Sequence, residues 1–296
     1  LFPYTTLFRA GARNGPDRAV MSRKPLDRRA LFASGAAAAL LAAAGVSAGP
    51  LPQRGGKLRL ALSGADRGDD WTRGDGLFMQ VARLGLVFET LTEVAADGTL
   101  RPELATAWAS TQNATVWTFD LRQGVTFHDD TPLTALDVAH SLAVLGEVRA
   151  LSRSRVQIAL AVPDAALPFT LSRPAYVIRP AHAPDAGIGT GLYRVDHFAA
   201  GQQLLAGRVV THWKDRQAGW FDKVELVSIP SEAVRVQALA EYLVDGADIA
   251  DPTALAAYSD IVVAGGHAVS TGVVMPATLG RGVFDDLRAP QRWWGA

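Results

Sequence analysis

The sequence predicts an α/β fold, a mixed sheet that carries a small α+β subdomain. Three stretches make the case. Leu58, Leu60 and Leu62 alternate with Lys57, Arg59 and Ala61, as a strand with one buried face requires. Trp117, Phe119 and Leu121 alternate in the same way with Val116, Thr118 and Asp120, and a helical pattern follows. Residues 223–249 then read strand, helix, strand, an order that builds parallel or mixed sheets.

The elements can be justified in turn. The first strand follows Gly55-Gly56 and opens at its carboxyl end into a polar, Gly- and Asp-rich loop over residues 63–76. Residues 77–91 read as a helix running into Thr92-Glu93-Val94, with Asp97-Gly98 as a turn. After the Trp117 strand, Arg122-Gln123-Gly124 is turn chemistry, and Val125-Thr126-Phe127 is expected to return as the second strand of a hairpin. His128-Asp129-Asp130-Thr131-Pro132 breaks that strand. Thr134 reads as a helix N-cap with Asp137 in capping-box position. Val138, Leu142 and Leu145 then repeat on one helix face, and Gly146 is the stop.

Short apolar runs at residues 156–160 and 169–171, split by Pro163 and Pro168, fit the small subdomain. Glycines on both sides of Thr190 predict a tight turn with unusual dihedrals. Residues 223–229 are apolar on both faces, as in an interior strand. Pro230-Ser231 starts a helix in which Val236, Leu239 and Leu243 repeat, and Gly246 is expected to stop it before Asp248-Ile249-Ala250.

Composition excludes several functions. The 296 residues hold 29 acidic and 29 basic side chains and no cysteine. Zero net charge supplies no long-range field to gather nucleic acid or an anionic membrane. Without cysteine there are no disulfides, no thiolate metal sites and no lipid attachment at a terminal cysteine. At 49% hydrophobic residues the chain can bury a substantial core, and its length suits one large domain or two small ones.

Met21-Ser22-Arg23-Lys24 opens a basic region, Arg28-Arg29-Ala30-Leu31-Phe32 resembles a twin-arginine export motif, and an alanine-rich run leads to Val46-Ser47-Ala48, a small-x-small cleavage site. Residues 21–48 are therefore expected to be a signal peptide. Asp27, where Ser or Thr is usual, leaves both twin-arginine and general secretion open. Residues 1–20 begin Leu1-Phe2-Pro3-Tyr4-Thr5-Thr6-Leu7-Phe8-Arg9, which reads as translated sequencing adapter, so Met21 is expected to be the natural start.

Three blocks carry a family resemblance. The first comprises Leu86-Val87-Phe88-Glu89-Thr90-Leu91, Pro102-Glu103-Leu104-Ala105 with Trp108, and residues 117–134. The second is Gly189-Thr190-Gly191-Leu192-Tyr193-Arg194-Val195, near "GTGPY-V", followed by Trp213 in place of an "N--YW" aromatic. The third is Gly246 with Asp248-Ile249-Ala250, near "G-VD-A". Together they resemble the family 5 extracytoplasmic solute-binding proteins, the peptide, nickel and opine receptors of ABC importers. The resemblance implies a periplasmic binding protein-like fold of the type II, dipeptide-binding type, with residues 49–288 as its first lobe. Family members are longer, so it also implies that the second lobe is missing. Gly282-Val283-Phe284-Asp285-Asp286-Leu287-Arg288 resembles the family's entry to that lobe and residues 289–296 do not continue it, so these are expected to be an out-of-frame tail. The implied partners are a small solute (an oligopeptide or similar) and inner-membrane permease subunits, with no nucleic acid, no cofactor and a periplasmic location.

Candidate site residues follow from the rule that ligands of open α/β sheets sit beyond the carboxyl ends of strands. The loop after the first strand offers Ser63, Asp66 to pair a ligand amine and Trp71 as a flat platform; the glycine-flanked turn offers Thr190 and Tyr193; and Met275 follows a later apolar run. Trp117, with alternating neighbours, reads as core. Catalysis finds little support. His128-Asp129-Asp130 lacks metal-site spacing, Ser63 lacks a nucleophile elbow, and residues 187–191 lack the P-loop lysine. A secreted metal-dependent enzyme and a standalone binding module are the alternatives. The first would need a ligand cluster, and the second would need a cooperative unit ending at Ala296.

Overall fold

The computed structural model describes residues 5–9, 54–95, 98–255, 258, 261–264, 266–268 and 274–276. Elements are numbered along the chain. One sheet has seven strands: β1 (Thr5–Arg9), β2 (Lys57–Leu62), β9 (Tyr193–Ala199), β10 (Gln203–Arg208), β11 (Lys223–Ser228), β12 (Gly246–Ile249) and β13 (Ile261–Ala264). Their spatial order is β13-β1-β12-β2-β11-β10-β9. β2 runs parallel to both neighbours, β11 and β12, while all other pairs are antiparallel. The sheet is therefore mixed, as predicted. Within the segment expected to be foreign to the protein, the backbone of Thr5–Arg9 pairs with β12 and β13.

Alternation along β2 decides which core each side chain joins. Leu58, Leu60 and Leu62 point to one face, where they pack with Phe78, Val81, Phe88 and Leu226. Ala61 points to the other and meets Leu239, Ala247 and Ile249. The first face is covered by α1 (Leu77–Gln80) and the wide helical segment Val81–Val87. Its i→i+5 bond, Phe88 N–H to Arg83 O at 2.7 Å, gives the last turn an extra residue. The second face is covered by α4 (Glu232–Ala240). That helix stops earlier than expected. Tyr242 takes a left-handed φ of 62°, and the N–H groups of Leu243 and Val244 turn back onto Ala238 O. Gly246 is then a strand residue, and Leu243 is 59% exposed rather than packed.

The subdomain holds β3 (Thr92–Val94) paired with β4 (Leu100–Pro102), and a four-stranded antiparallel sheet. The sheet's strands are β5 (Ala105–Thr111), β6 (Val116–Leu121), β7 (Glu147–Ser152) and β8 (Arg155–Ala159), in the order β5-β6-β8-β7. The expected hairpin between β6 and residues 125–127 does not form. Both edges of β6 are taken, by β5 and β8, and the real hairpin turn is at Gln112, Asn113 and Ala114, all with left-handed φ. Residues 125–133 instead close a local loop through Phe127 N–H to Thr131 O and Leu133 N–H to Val125 O.

The helix α2 (Ala135–Ser141) begins as read from sequence. Asp137 Oδ2 accepts from the Thr134 amide at 2.9 Å and hydroxyl at 2.8 Å. It packs with Leu133, Val138 and Leu142 into a core that includes Trp117, Phe119 and Ile158. Trp117 is core as expected, its indole N–H bonding the carbonyls of Ala114 and Asp164. A further single-turn helix, α3 (Leu167–Thr170), adds Leu167 to the same core, and β14 (Gly266–Ala268) pairs with β15 (Val274–Pro276) elsewhere.

Candidate functional site

The loop at residues 63–76 is anchored where β2 ends. Ser63 donates its amide and hydroxyl to the two oxygens of Asp248, at 2.9 and 2.6 Å. Asp248 lies on β12, fully buried. Burial raises its pKa, and Ser63 and Arg235 act against that rise. Arg235 also binds the Asp248 carbonyl at 2.7 Å, tying α4 to the same point. The loop's two ends touch through glycine, since a Cβ on Gly76 would lie 1.6 Å from Gly64 O. Within the loop, Asp69 Oδ2 accepts from Asp66 N–H at 2.7 Å, and Asp66 Oδ1 accepts from Gly68 N–H at 2.7 Å. Asp66 is exposed on this ordered turn. Trp71 is not a platform. It is 7% exposed, its ring lying 4.8 Å from Phe198 and 5.9 Å from Phe88, because a large apolar ring beside an unfilled core gains more from burial than from a polar loop.

The second predicted segment docks on the wide helical segment. Gly191 N–H bonds Val87 O at 2.8 Å. Neither Gly189 nor Gly191 has a left-handed φ; close approach, not an unusual dihedral, is what requires them. A Cβ at Gly189 would lie 1.9 Å from Val87 O, and one at Gly191 2.2 Å from Leu86 O. Two histidines clamp the same backbone. His128 Nδ1 accepts from Gly189 N–H at 3.3 Å, which leaves Nε2–H to donate to Gly191 O at 2.8 Å. His212 Nδ1 accepts from Lys214 N–H at 3.0 Å, and its Nε2–H meets Thr190 O at 2.8 Å. Burial lowers the His128 pKa and keeps the ring neutral.

Thr190 and Tyr193 differ in fate. The Thr190 hydroxyl is buried without a partner on the wall of a cavity of about 230 Å³, shared with His128, Arg194, Asp196 and Arg208. Tyr193 is fully buried, its hydroxyl donating to Phe221 O at 3.0 Å, and burial raises its pKa. It offers no free face to a ligand. Thus the structure brings the loop and the glycine segment together at one place, where Gly187 lies against the Trp71 indole, while Thr190 faces a separate cavity. Met275 sits opposite His267 in the β14–β15 ladder, and its side chain lies outside the described residues. Among the described residues, no three His, Asp or Glu side chains gather as a metal site would.

Sequence reasoning missed a buried charge cluster next to this segment. Lys214 Nζ lies 2.5 Å from Glu89 Oε1 and 2.5 Å from Glu103 Oε1, each side chain no more than 3% exposed. Thr90 donates to Glu103 Oε2 at 2.9 Å, Trp213 Nε1 donates to Glu89 Oε2 at 3.3 Å, and Arg122 stacks 3.8 Å over the Trp213 ring. Burial alone would raise the Glu89 pKa; Lys214 and His212 outweigh it and hold the carboxyl below its usual range. The available signal was a lone Glu inside the apolar run Phe88-Glu89-Thr90-Leu91, since a charge in such a run needs a distant partner.

Comparison with known proteins agrees with this architecture. The family model described as bacterial extracellular solute-binding proteins, family 5 middle, matches residues 99–289. The nickel-binding periplasmic protein of Escherichia coli (strain K12) is 28% identical over 187 residues, covering 54% of this chain and 35% of that protein. Among solved structures, the binding protein AgaA in complex with agropinic acid, from A. tumefaciens R10, has a TM-score of 0.57 at 24% identity, covering 64% of this chain and 43% of its own. The Helicobacter pylori protein DppA with a bound peptide has a TM-score of 0.56 at 21% identity, covering 65% and 46%. The chain thus spans between about a third and a half of the length of these relatives, which are binding proteins rather than enzymes. By sequence match and by fold, the chain belongs to the family 5 bacterial extracellular solute-binding proteins.

Proposed function

We propose that the chain forms one wall of a solute-binding cleft in the substrate-binding component of an ABC importer, which passes its ligand to a membrane permease. The observation that carries this reading is the loop at residues 63–76. It leaves the carboxyl end of a parallel strand and is locked by Ser63, Asp248 and the Gly64–Gly76 contact, as a preorganised ligand loop should be. Asp66 is the residue of this loop that meets the ligand, with Ser63 positioning it. Trp71 and Tyr193 act from beneath as packing, Thr190 lines a cavity apart from the loop, and Met275 borders the cleft. The solute is a peptide-like molecule or a chelate, as in the relatives. The protein works in the periplasm after removal of residues 21–48 and has no catalytic role.

Isothermal titration tests the reading with short peptides, opines and nickel chelates. The 296-residue chain and an extended version that carries a second lobe are titrated side by side. The extended protein should bind one of these classes, and the chain alone should bind weakly, since a single wall does not exclude water. Submicromolar binding by the chain alone would sink the one-wall reading, and silence from the extended protein would sink the importer reading. Mass spectrometry of a periplasmic fraction should find a mature terminus near Gly49.

A further inference from the structure

We propose that the Arg83 guanidinium binds a carboxylate of the solute, an inference that rests on the solute-binding reading above. Arg83 lies on the wide helical segment that follows the loop and is only 6% exposed. Among the described residues its side chain makes one hydrogen bond, a long one from Nε to Met79 O at 3.5 Å. No carboxylate among the described residues stands within ion-pair distance. Asp75, Asp69 and Asp70 lie in electrostatic range, and so does a second cation, Arg179.

Elsewhere among the described residues, buried cations are matched. Lys214 has two glutamates. Arg235 has Asp248 and three backbone carbonyls. Arg208 has Asp215 and the carbonyls of Gly219 and Val209. Arg83 is the exception. Two of the loop carboxylates are engaged locally, Asp69 with the Asp66 amide and Asp70 with the amides of Thr72 and Arg73, while Asp75 is exposed to solvent and forms no ion pair with Arg83. Burial lowers the Arg83 pKa, yet a guanidinium stays charged in proteins. A planar fork of donors, already desolvated and without its acceptor, matches a carboxylate in bidentate geometry. The loop aspartates in electrostatic range set the guanidinium beside that loop, the side from which a solute carboxylate would come.

Thermal melts of the 296-residue chain and of Arg83→Met and Arg83→Lys test the inference. The probe is N-acetylalanine, its neutral control is N-acetylalaninamide, and chloride holds ionic strength constant. Without probe, Arg83→Met should melt higher than the parent, because an uncompensated buried cation has gone. Millimolar N-acetylalanine should raise the Tm of the parent by several degrees and leave Arg83→Met unmoved. The amide should shift neither, and Arg83→Lys should keep part of the response. A lower melt or failure to fold in Arg83→Met would overturn the inference, as would equal stabilisation of parent and variant by the probe. If this response holds while the extended protein ignores peptides, opines and chelates, the carboxylate site stands and the importer reading falls. If the extended protein binds one of them equally well with Met or Lys at this position, the reading stands and Arg83 is excluded.

Discussion

Glu89 and Lys214 form an ion pair 2.5 Å long, with both side chains 3% exposed. The same ammonium holds Glu103 at 2.5 Å. One cation therefore serves two buried anions and joins the segment after Val81–Val87 to the start of β5 and to the loop before β11. Removing either partner leaves an uncompensated charge in the interior, which typically costs about 3–5 kcal/mol. Lys214→Met should lower the urea-unfolding free energy by about that amount. Adding Glu89→Gln and Glu103→Gln to it should recover a substantial part. Full additivity of the three losses would show that the groups do not form one network.

The same cluster and the His128 clamp predict two steps of acid destabilisation. His128 has a lowered folded pKa, so the unfolded chain takes up a proton first as pH falls through its ordinary 6.5. Stability is complete above that pH and declines below it. His212, Arg194 and Glu89 face the ring and set its field. Glu89, held below its ordinary 4.5, contributes stability above that value and loses it as pH falls further. Melts between pH 8 and pH 3 should show both declines. In His128→Asn the upper one should vanish, at lower overall stability; its persistence would assign it to another group.

Trp71→Ala should behave as a core mutation, with a cost of about 3–5 kcal/mol, comparable to Trp117→Ala. Asp66→Ala, on an exposed turn, should cost about 1 kcal/mol or less. In the extended protein it should weaken ligand binding while the melt barely moves. If Trp71→Ala proves neutral in stability, the packing against Phe88 and Phe198 is misassigned.

Gly189→Ala and Gly191→Ala place a methyl group in contact with the carbonyls of Val87 and Leu86. Each should destabilise by about 1–3 kcal/mol or more through forced backbone shifts. Hydrogen exchange should quicken at the Gly191 amide, which bonds Val87 O. Unchanged exchange there would argue that the segment docks differently.

Local spacing determined much of this protein. Period-two alternation located β2 and β6, a run apolar on both faces located β11, and the Thr134–Asp137 pair set the start of α2, because each signal depends on residues a few positions apart. The same holds for Trp117, whose burial follows from its own strand. Tertiary structure decided what depends on distant partners. The strands beside β6 come from residues 105–111 and 155–159, so the neighbouring run at 125–127 lost the hairpin that its sequence suggested. Trp71 sits in a polar loop, yet Phe88 and Phe198 supply the apolar surface that buries it. Lys214 and Glu103 lie 111 positions apart, and no local pattern pairs them. The glycines around Thr190 were legible as a backbone requirement. Its physical reason, a carbonyl of the Val81–Val87 segment less than one methyl group away, exists only after the chain has folded.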